Sequence, residues 1–164
     1  MNEICIVVAD AKVARFFGIE AADSPRERLK LVEQAPLTNV IDLEVLGKSV
    51  TGRVRTETNT NRGAGPVHPI GAQRERHRIE LERRFGREIV SRTTEIIDGW
   101  PAGTVVLVAE PRMLGLVREP LRKAMQPGMA LKELAKNYTQ LTAAELHDHL
   151  AVNSLVPARR AGAQ

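Results

Sequence analysis

The chain predicts a single α/β domain built on one mixed β-sheet. Three observations lead there. Two continuous apolar runs, Ile4 to Ala9 and Thr104 to Ala109, are rich in β-branched residues, as strands buried on both faces are. The first run is followed by two more strand patterns across short turns, which makes an antiparallel meander. The second lies between two segments of helical periodicity, the alternation that gives parallel strands with right-handed crossovers.

Each element has its own warrant. After Ile4 to Ala9, Asp10-Ala11-Lys12 is a tight turn, and Val13 to Ile19 forms the hairpin partner. Asp23-Ser24-Pro25 turns the chain again into a strand over Leu29 to Gln34. From Pro36 to Gln73 the sequence is polar and loses hydrophobic periodicity after Leu46, which predicts a long loop. Structureless connections above about 12–15 residues are uncommon in compact domains unless functional or disordered, so this loop is where function is expected. Arg74 to Asp98 then reads as the longest helix, with Leu81, Phe85, Ile89, Thr93 and Ile96/Ile97 forming its core stripe. Its other faces interleave Arg and Glu at four-residue spacing, the pattern of a solvated surface.

Gly99 to Gly103 stops that helix, and the strand over Thr104 to Ala109 follows. Glu110-Pro111-Arg112 opens a second helix with Leu114, Val117, Leu121 and Met125 inward; Pro120 predicts a kink or two short helices. Leu131 to Tyr138 reads as a short edge strand. Thr142 and Glu145 make a capping box before a last helix over 143–151. The domain is expected to end near 152, with 153–164 a disordered tail. The resulting order, β-β-β-loop-α-β-α-β-α, is ribonuclease-H-like.

The chain is mildly basic, at +4, and the distribution of that charge says more than the sum. Arg53, Arg55, Arg62, Arg74, Arg76 and Arg78 stand against only Glu57 and Glu75 in the loop and helix start. That clustering points to an anionic partner such as RNA. Aromatic residues make up 3%, too few for the base-stacking platforms of single-strand binders. A lone cysteine, Cys5, sits in the first strand and reads as a buried structural thiol. No signal peptide or membrane-spanning run is seen, so a cytoplasmic protein without membrane contact is expected.

Catalytic constellations are sparse. Asp10 and Glu110 end the two central strands, and with Glu20 they are the candidate ligands for a metal-dependent nuclease. Asp10 equally suits a hairpin turn. His147 and His149 are two apart on a helix and point to different faces; His68 and His77 have no cysteine partner. No metal site or cofactor is expected. Gly71-Ala72-Gln73 stands at the entrance to the long helix, where glycine permits uncommon backbone angles and an amide could hold a water or an ester. Gly63 and Gly65 offer a second candidate for the loop tip.

Several segments together resemble the bacterial host-attachment protein family. They are Val7-Val8-Ala9-Asp10-Ala11 with Ala14-Arg15-Phe16; Arg84-Phe85 with Glu88-Ile89; Val106 to Gly115, which holds Pro111-Arg112; and Tyr138-Thr139 with Leu141, Glu145-Leu146 and His149-Leu150. They run through nearly the whole chain in order. Asp10, Pro111, Arg112 and Gly115 are the structural motif residues this resemblance implies. The family is named for a role in attaching bacteria to host cells. It also resembles the catalytic domain of archaeal and eukaryotic peptide-chain release factors, in which a Gly-Gly-Gln loop before a long helix assists hydrolysis of peptidyl-tRNA. By that resemblance Gln73 is the one catalytic candidate, with Gly71 and Ala72 as loop backbone. Ala72 departs from the second glycine, and its Cβ penalises positive φ.

The expectation is therefore a cytoplasmic, release-factor-like domain that binds ribosome, rRNA or tRNA through the 47–78 segment. Two alternatives stand beside it: a non-catalytic protein-interaction module with an indirect role in attachment, and a metal-dependent nuclease.

Overall fold

The computed structural model describes residues 3–40 and 67–160, with side chains from 71 onward in the second stretch. At its centre β1 (Glu3–Ala9) and β5 (Gly103–Ala109) run parallel, in register from Glu3 beside Gly103 to Ala9 beside Ala109. Their apolar, β-branched composition suits this place: Cys5 to Ala9 and Val105 to Ala109 are wholly buried. Burial pushes the Cys5 thiol up to about 12, so it stays protonated and packs as a small apolar group.

On one side β2 (Val13–Ala21) pairs antiparallel with β1, and β3 (Leu29–Glu33) with β2. A two-residue strand, β4 (Leu37–Thr38), pairs with Val13 and Ala14 on the same edge of β2. On the other side β6 (Met129–Leu134) adds parallel to β5. The order β3-β2-β1-β5-β6, antiparallel then parallel, is the ribonuclease-H-like arrangement expected from the element order.

Two helices cover one face: α1 (Val67–Ile97) and α2 (Pro111–Ala124). Phe85 and Ile89 from α1 and Met113, Val117 and Leu121 from α2 pack there on Cys5, Val7, Ala9 and Phe16. The opposite face holds α3 (Ala143–Val152), whose Leu146 and Leu150 meet Ile6, Val8, Phe17 and Leu31. The period-2 alternation of β1 thus feeds two separate cores. The capping box of α3 forms as expected, with Thr142 Oγ1 and Glu145 Oε1 each accepting from the other residue's N–H.

Four expectations change. The long helix spans Val67–Ile97, starting seven residues before Arg74. Pro69 falls in its first turn, where a missing donor does no harm, and Gly71 costs only about 1 kcal/mol within a helix. Of the loop expected over 36–73, Leu37–Thr38 is strand and 67–73 is helix, while 41–66 lies outside the described residues. Pro120 does not divide α2, which is one helix; it lies on the exposed side, where water can meet the carbonyl it leaves unpaired. Residues 153–160, expected within a disordered tail, are fastened to the body. Val156 enters the α3-side core, and Pro157 O meets His147 Nε2 at 2.9 Å. Arg159 binds Asp148 through two contacts and also pairs with Glu27, and its carbonyl accepts from Arg28 N at 2.9 Å.

Candidate nucleic-acid interface

Polar side chains gather at two places: the carboxyl-terminal rim of the central strands and the amino-terminal part of α1. At the rim, the register sets Asp10 and Glu110 side by side, yet backbone takes up both carboxylates. Asp10 Oδ1 accepts from Lys12 N and Val13 N at 2.8 and 2.9 Å, closing the β1–β2 turn. Its Oδ2 accepts from Asn137 Nδ2 and Thr139 Oγ1, each at 3.2 Å. Glu110 caps α2, accepting from Met113 N at 2.6 Å. Glu20 faces Lys30 at the far end of β2 and does not join them. Among the described residues no three His, Cys, Asp or Glu side chains converge as a metal site. The acidic set nominated for nuclease chemistry is a turn, a cap and a distant strand end.

Beside this rim Arg15 ties three segments together. Its guanidinium forks onto Glu33, with both bonds at 2.9 Å, and donates to the carbonyls of Thr139 at 3.0 Å and Leu141 at 2.6 Å. It also lies 5.0 Å from the Phe17 ring centroid. The hydrogen bond from Arg15 holds the Glu33 carboxyl below its ordinary range, and the Arg15 guanidinium is raised in turn. Motif segments far apart in sequence, Asp10 to Phe16 and Tyr138 to Leu141, thereby meet in one clamp. Its geometry fixes the 137–141 loop and presents no nucleophile or base.

The second place is different in kind. Through Gly99 and Trp100, α1 turns back into β5, so its amino-terminal end extends past the rim. Leu81 is the first described residue of α1 that the body buries; residues 71–80 are exposed, apart from partly covered Ile79. At ~1.5 Å per residue those ten make an arm about 15 Å long. Arg74, Arg76 and Arg78 stand on it, and the exposed cationic face continues along the body through Arg83, Arg84 and Arg87.

Acidic neighbours compensate this charge only partly. Arg78 pairs with Glu75 at 2.8 Å, while Arg83 and Arg87 share Glu80, each at 3.9 Å. Among the described residues no ion pair involves Arg74, Arg76 or Arg84. Arg84 and Arg87 line an open groove of about 430 Å³ between α1 and Leu37. Where the arm leaves the body, Arg112 Nε lies 2.9 Å from Glu82 Oε1. Glu82 is buried, and Oε1 has no donor in hydrogen-bonding alignment, so this contact is an ion pair only.

Gly71, Ala72 and Gln73 lie within this arm, on helical backbone and exposed, in place of the loop expected for them. Open space surrounds the position where a Cβ on Gly71 would stand. Arg53, Arg55, Arg62, Gly63 and Gly65 lie outside the described residues. Pro111 begins α2, and Gly115 sits in its middle, exposed, with nothing within 4 Å of an added Cβ. Arg83, Arg84 and Arg87 are not among the contact residues expected from sequence. Their sequence signal is the interleaving of Arg with Glu80 and Glu88, at four-residue spacing for Arg84 only, which equally fits an inert solvated face; their position along the helix that carries the arm is what sets them apart.

Over residues 5–150 the chain matches a protein family described as "Protein required for attachment to host cells". No curated protein is significantly similar to it in sequence. Among solved structures it resembles the Aquifex aeolicus Ppx/GppA phosphatase, in the crystal structure of the type II variant. That likeness has 12% identity and a TM-score of 0.34, and covers 81% of this chain but 36% of the phosphatase. The chain thus spans little more than a third of that protein, and so distant a likeness carries no inference about activity. The family match runs from within β1 to α3 and takes in the rim, the Arg15 clamp and the arm. The chain belongs to the family of proteins required for attachment to host cells.

Proposed function

We propose that this protein is a cytoplasmic RNA-contacting domain, acting on the ribosome or on tRNA, and that the amino-terminal arm of α1 is its contact element. The observation that carries the reading is the arm itself: Arg74, Arg76 and Arg78 on an exposed helix beyond the core, continued by Arg83, Arg84 and Arg87. Cations held clear of the body reach phosphates without steric conflict, and each neutralised phosphate releases counterions. The expected loop arginines Arg53, Arg55 and Arg62 would add to the same field.

The reading is one of binding without hydrolysis. A release-factor-like mechanism needs Gln73 at the tip of a loop, and here it stands on a helix. The role in attachment named in the family's description is then indirect, reached through the RNA or ribosome the domain binds.

Cosedimentation with ribosomes tests this. With about six phosphate contacts, affinity should fall by about 10³ between roughly 50 and 200 mM salt. Replacing Arg76, Arg83 and Arg87 by Gln should weaken binding and flatten the salt dependence. No association at either salt removes the reading, as does recovery of the protein at the cell surface on fractionation. The protein-interaction module would then be the reading left.

A further inference from the structure

We infer that the arm takes a double-helical part of an RNA, held through its phosphates, and not a single strand. This rests on the reading of the arm as an RNA contact and narrows its ligand.

The first ground is the fate of the aromatic rings. Single-strand recognition draws on stacking, worth about 1–3 kcal/mol per base, on exposed aromatic faces. The chain has three Phe, one Trp and one Tyr. Phe16, Phe17 and Phe85 are at most 1% exposed. Trp100 is partly covered beyond the opposite end of α1, with its ring against Gly103. Tyr138 packs on His149, with centroids 5.1 Å apart, and joins the α3-side core. Of these five rings none is on the arm. Arginine planes can stack too, but the imidazole of His77 is the only described ring there.

The second ground is the placing of the charges around the helix. At ~100° per residue, Arg74 and Arg78 share one side of the arm, and Arg76 lies about 200° round, in line with Arg83 and Arg87. A helix with its side chains is about 10–12 Å across, so these two sets of guanidinium groups face opposite ways. One strand passing along the arm would satisfy one set. Two backbones flanking a groove satisfy both. The shallow minor groove of an A-form helix, with phosphates on its two rims, offers that arrangement and is commonly read by shape. Phosphate contacts of this kind carry no sequence information, so binding should be indifferent to sequence.

The test uses the full chain and fluorescence anisotropy. The probes are an RNA duplex of about 20 base pairs, an unstructured RNA strand of that length, and the matching DNA duplex. A double-strand reader spans roughly 16 base pairs, so the duplex offers a complete site. The expected result is at least tenfold tighter binding to the RNA duplex than to the strand. Replacing Arg74 and Arg78 by Gln, or Arg76, Arg83 and Arg87, should each lower the duplex salt slope by nearly one for every arginine replaced. Equal or tighter binding to the strand overturns the inference and leaves the RNA reading in place. Tighter binding to the DNA duplex overturns the assignment to RNA. Ribosome association with no duplex binding also defeats the inference alone, whereas failure with every RNA and with ribosomes defeats both.

Discussion

Replacing Arg15 by Ala should be among the most damaging single changes outside the apolar core, and the structure says which of its contacts matter. Glu33 is 35% exposed on its side chain, so the ion pair is screened and contributes about 0–1 kcal/mol. The two carbonyls of Thr139 and Leu141 have a charged donor, and such bonds contribute roughly 1.5 kcal/mol each at the low end. The contact with Phe17 adds about 0.5–1 kcal/mol. Together these give about 3.5–5 kcal/mol, most of it from the carbonyls, and removing the guanidinium leaves those oxygens unmet.

For a chain of this size each kcal/mol shifts Tm by about 2–4 °C, so Arg15→Ala should lower it by roughly 10 °C. Glu33→Gln should cost under about 1 kcal/mol. Urea titration of both variants beside the parent protein separates the terms. Equal losses in the two variants, or a loss below about 1 kcal/mol in Arg15→Ala, would refute the assignment to the 137–141 loop. The pH dependence has a defined sign. Because Arg15 lowers the Glu33 carboxyl in the folded state, its contribution is full above the ordinary value of 4.5 and is lost as pH falls through the folded value. The gap between parent and Glu33→Gln should therefore narrow below pH 4.5.

Three further changes test other parts of the frame. Asp10→Ala should cost about 2 kcal/mol in urea unfolding, and Asp10→Asn, which keeps an acceptor for Lys12 N and Val13 N, under about 1; equal costs would refute the turn role. Gly115→Ala should raise stability by about 0.5–1 kcal/mol because its surroundings are open. Gly103→Ala should lower it, since a Cβ there would stand 2.7 Å from Glu3 O; thermal melts showing the reverse order would contradict the glycine geometry. Arg112→Ala should cost about 2 kcal/mol by stranding the buried Glu82 carboxylate, a value reduced by the half-exposure of Arg112, and adding Glu82→Gln should return at least half of it. Failure of that second change to rescue would mean that Arg112 acts through another contact.

What is legible in the sequence is whatever local periodicity encodes. The runs at Cys5 to Ala9 and Val105 to Ala109 can be buried on both faces in only a few ways, and the meander plus alternation leaves one sheet order. The start of α1 is hidden from such reading because Gly71 and Pro69 look like breakers, while a helix already packed from Leu81 onward can extend through both. The residues after 152 mislead for the opposite reason. Small, basic composition suggests a free tail, but Val156 and Arg159 are held by partners more than a hundred residues away or across α3, which no local pattern announces. The Asp10–Thr139 and Arg15–Leu141 contacts are long-range in the same way.

The arm's sequence explains its conformation only in combination with the body. Residues 71–80 have no apolar stripe, and an isolated helix shorter than about 12–15 residues is marginal in water. Nucleation is the costly step, and here the packed part of α1 supplies it. Phe85 and Ile89 are seated in the core, and Gly86 lets α2 approach, with Leu116 Cβ 3.5 Å from where its own Cβ would be. From that nucleus each further residue adds a backbone bond for one residue fixed, and the Arg78–Glu75 pair adds a few tenths of a kcal/mol. The helical conformation of the arm thus follows from the packed half of α1, which supplies its nucleus. Its arginines keep their two-sided arrangement as long as the packed half of the helix holds.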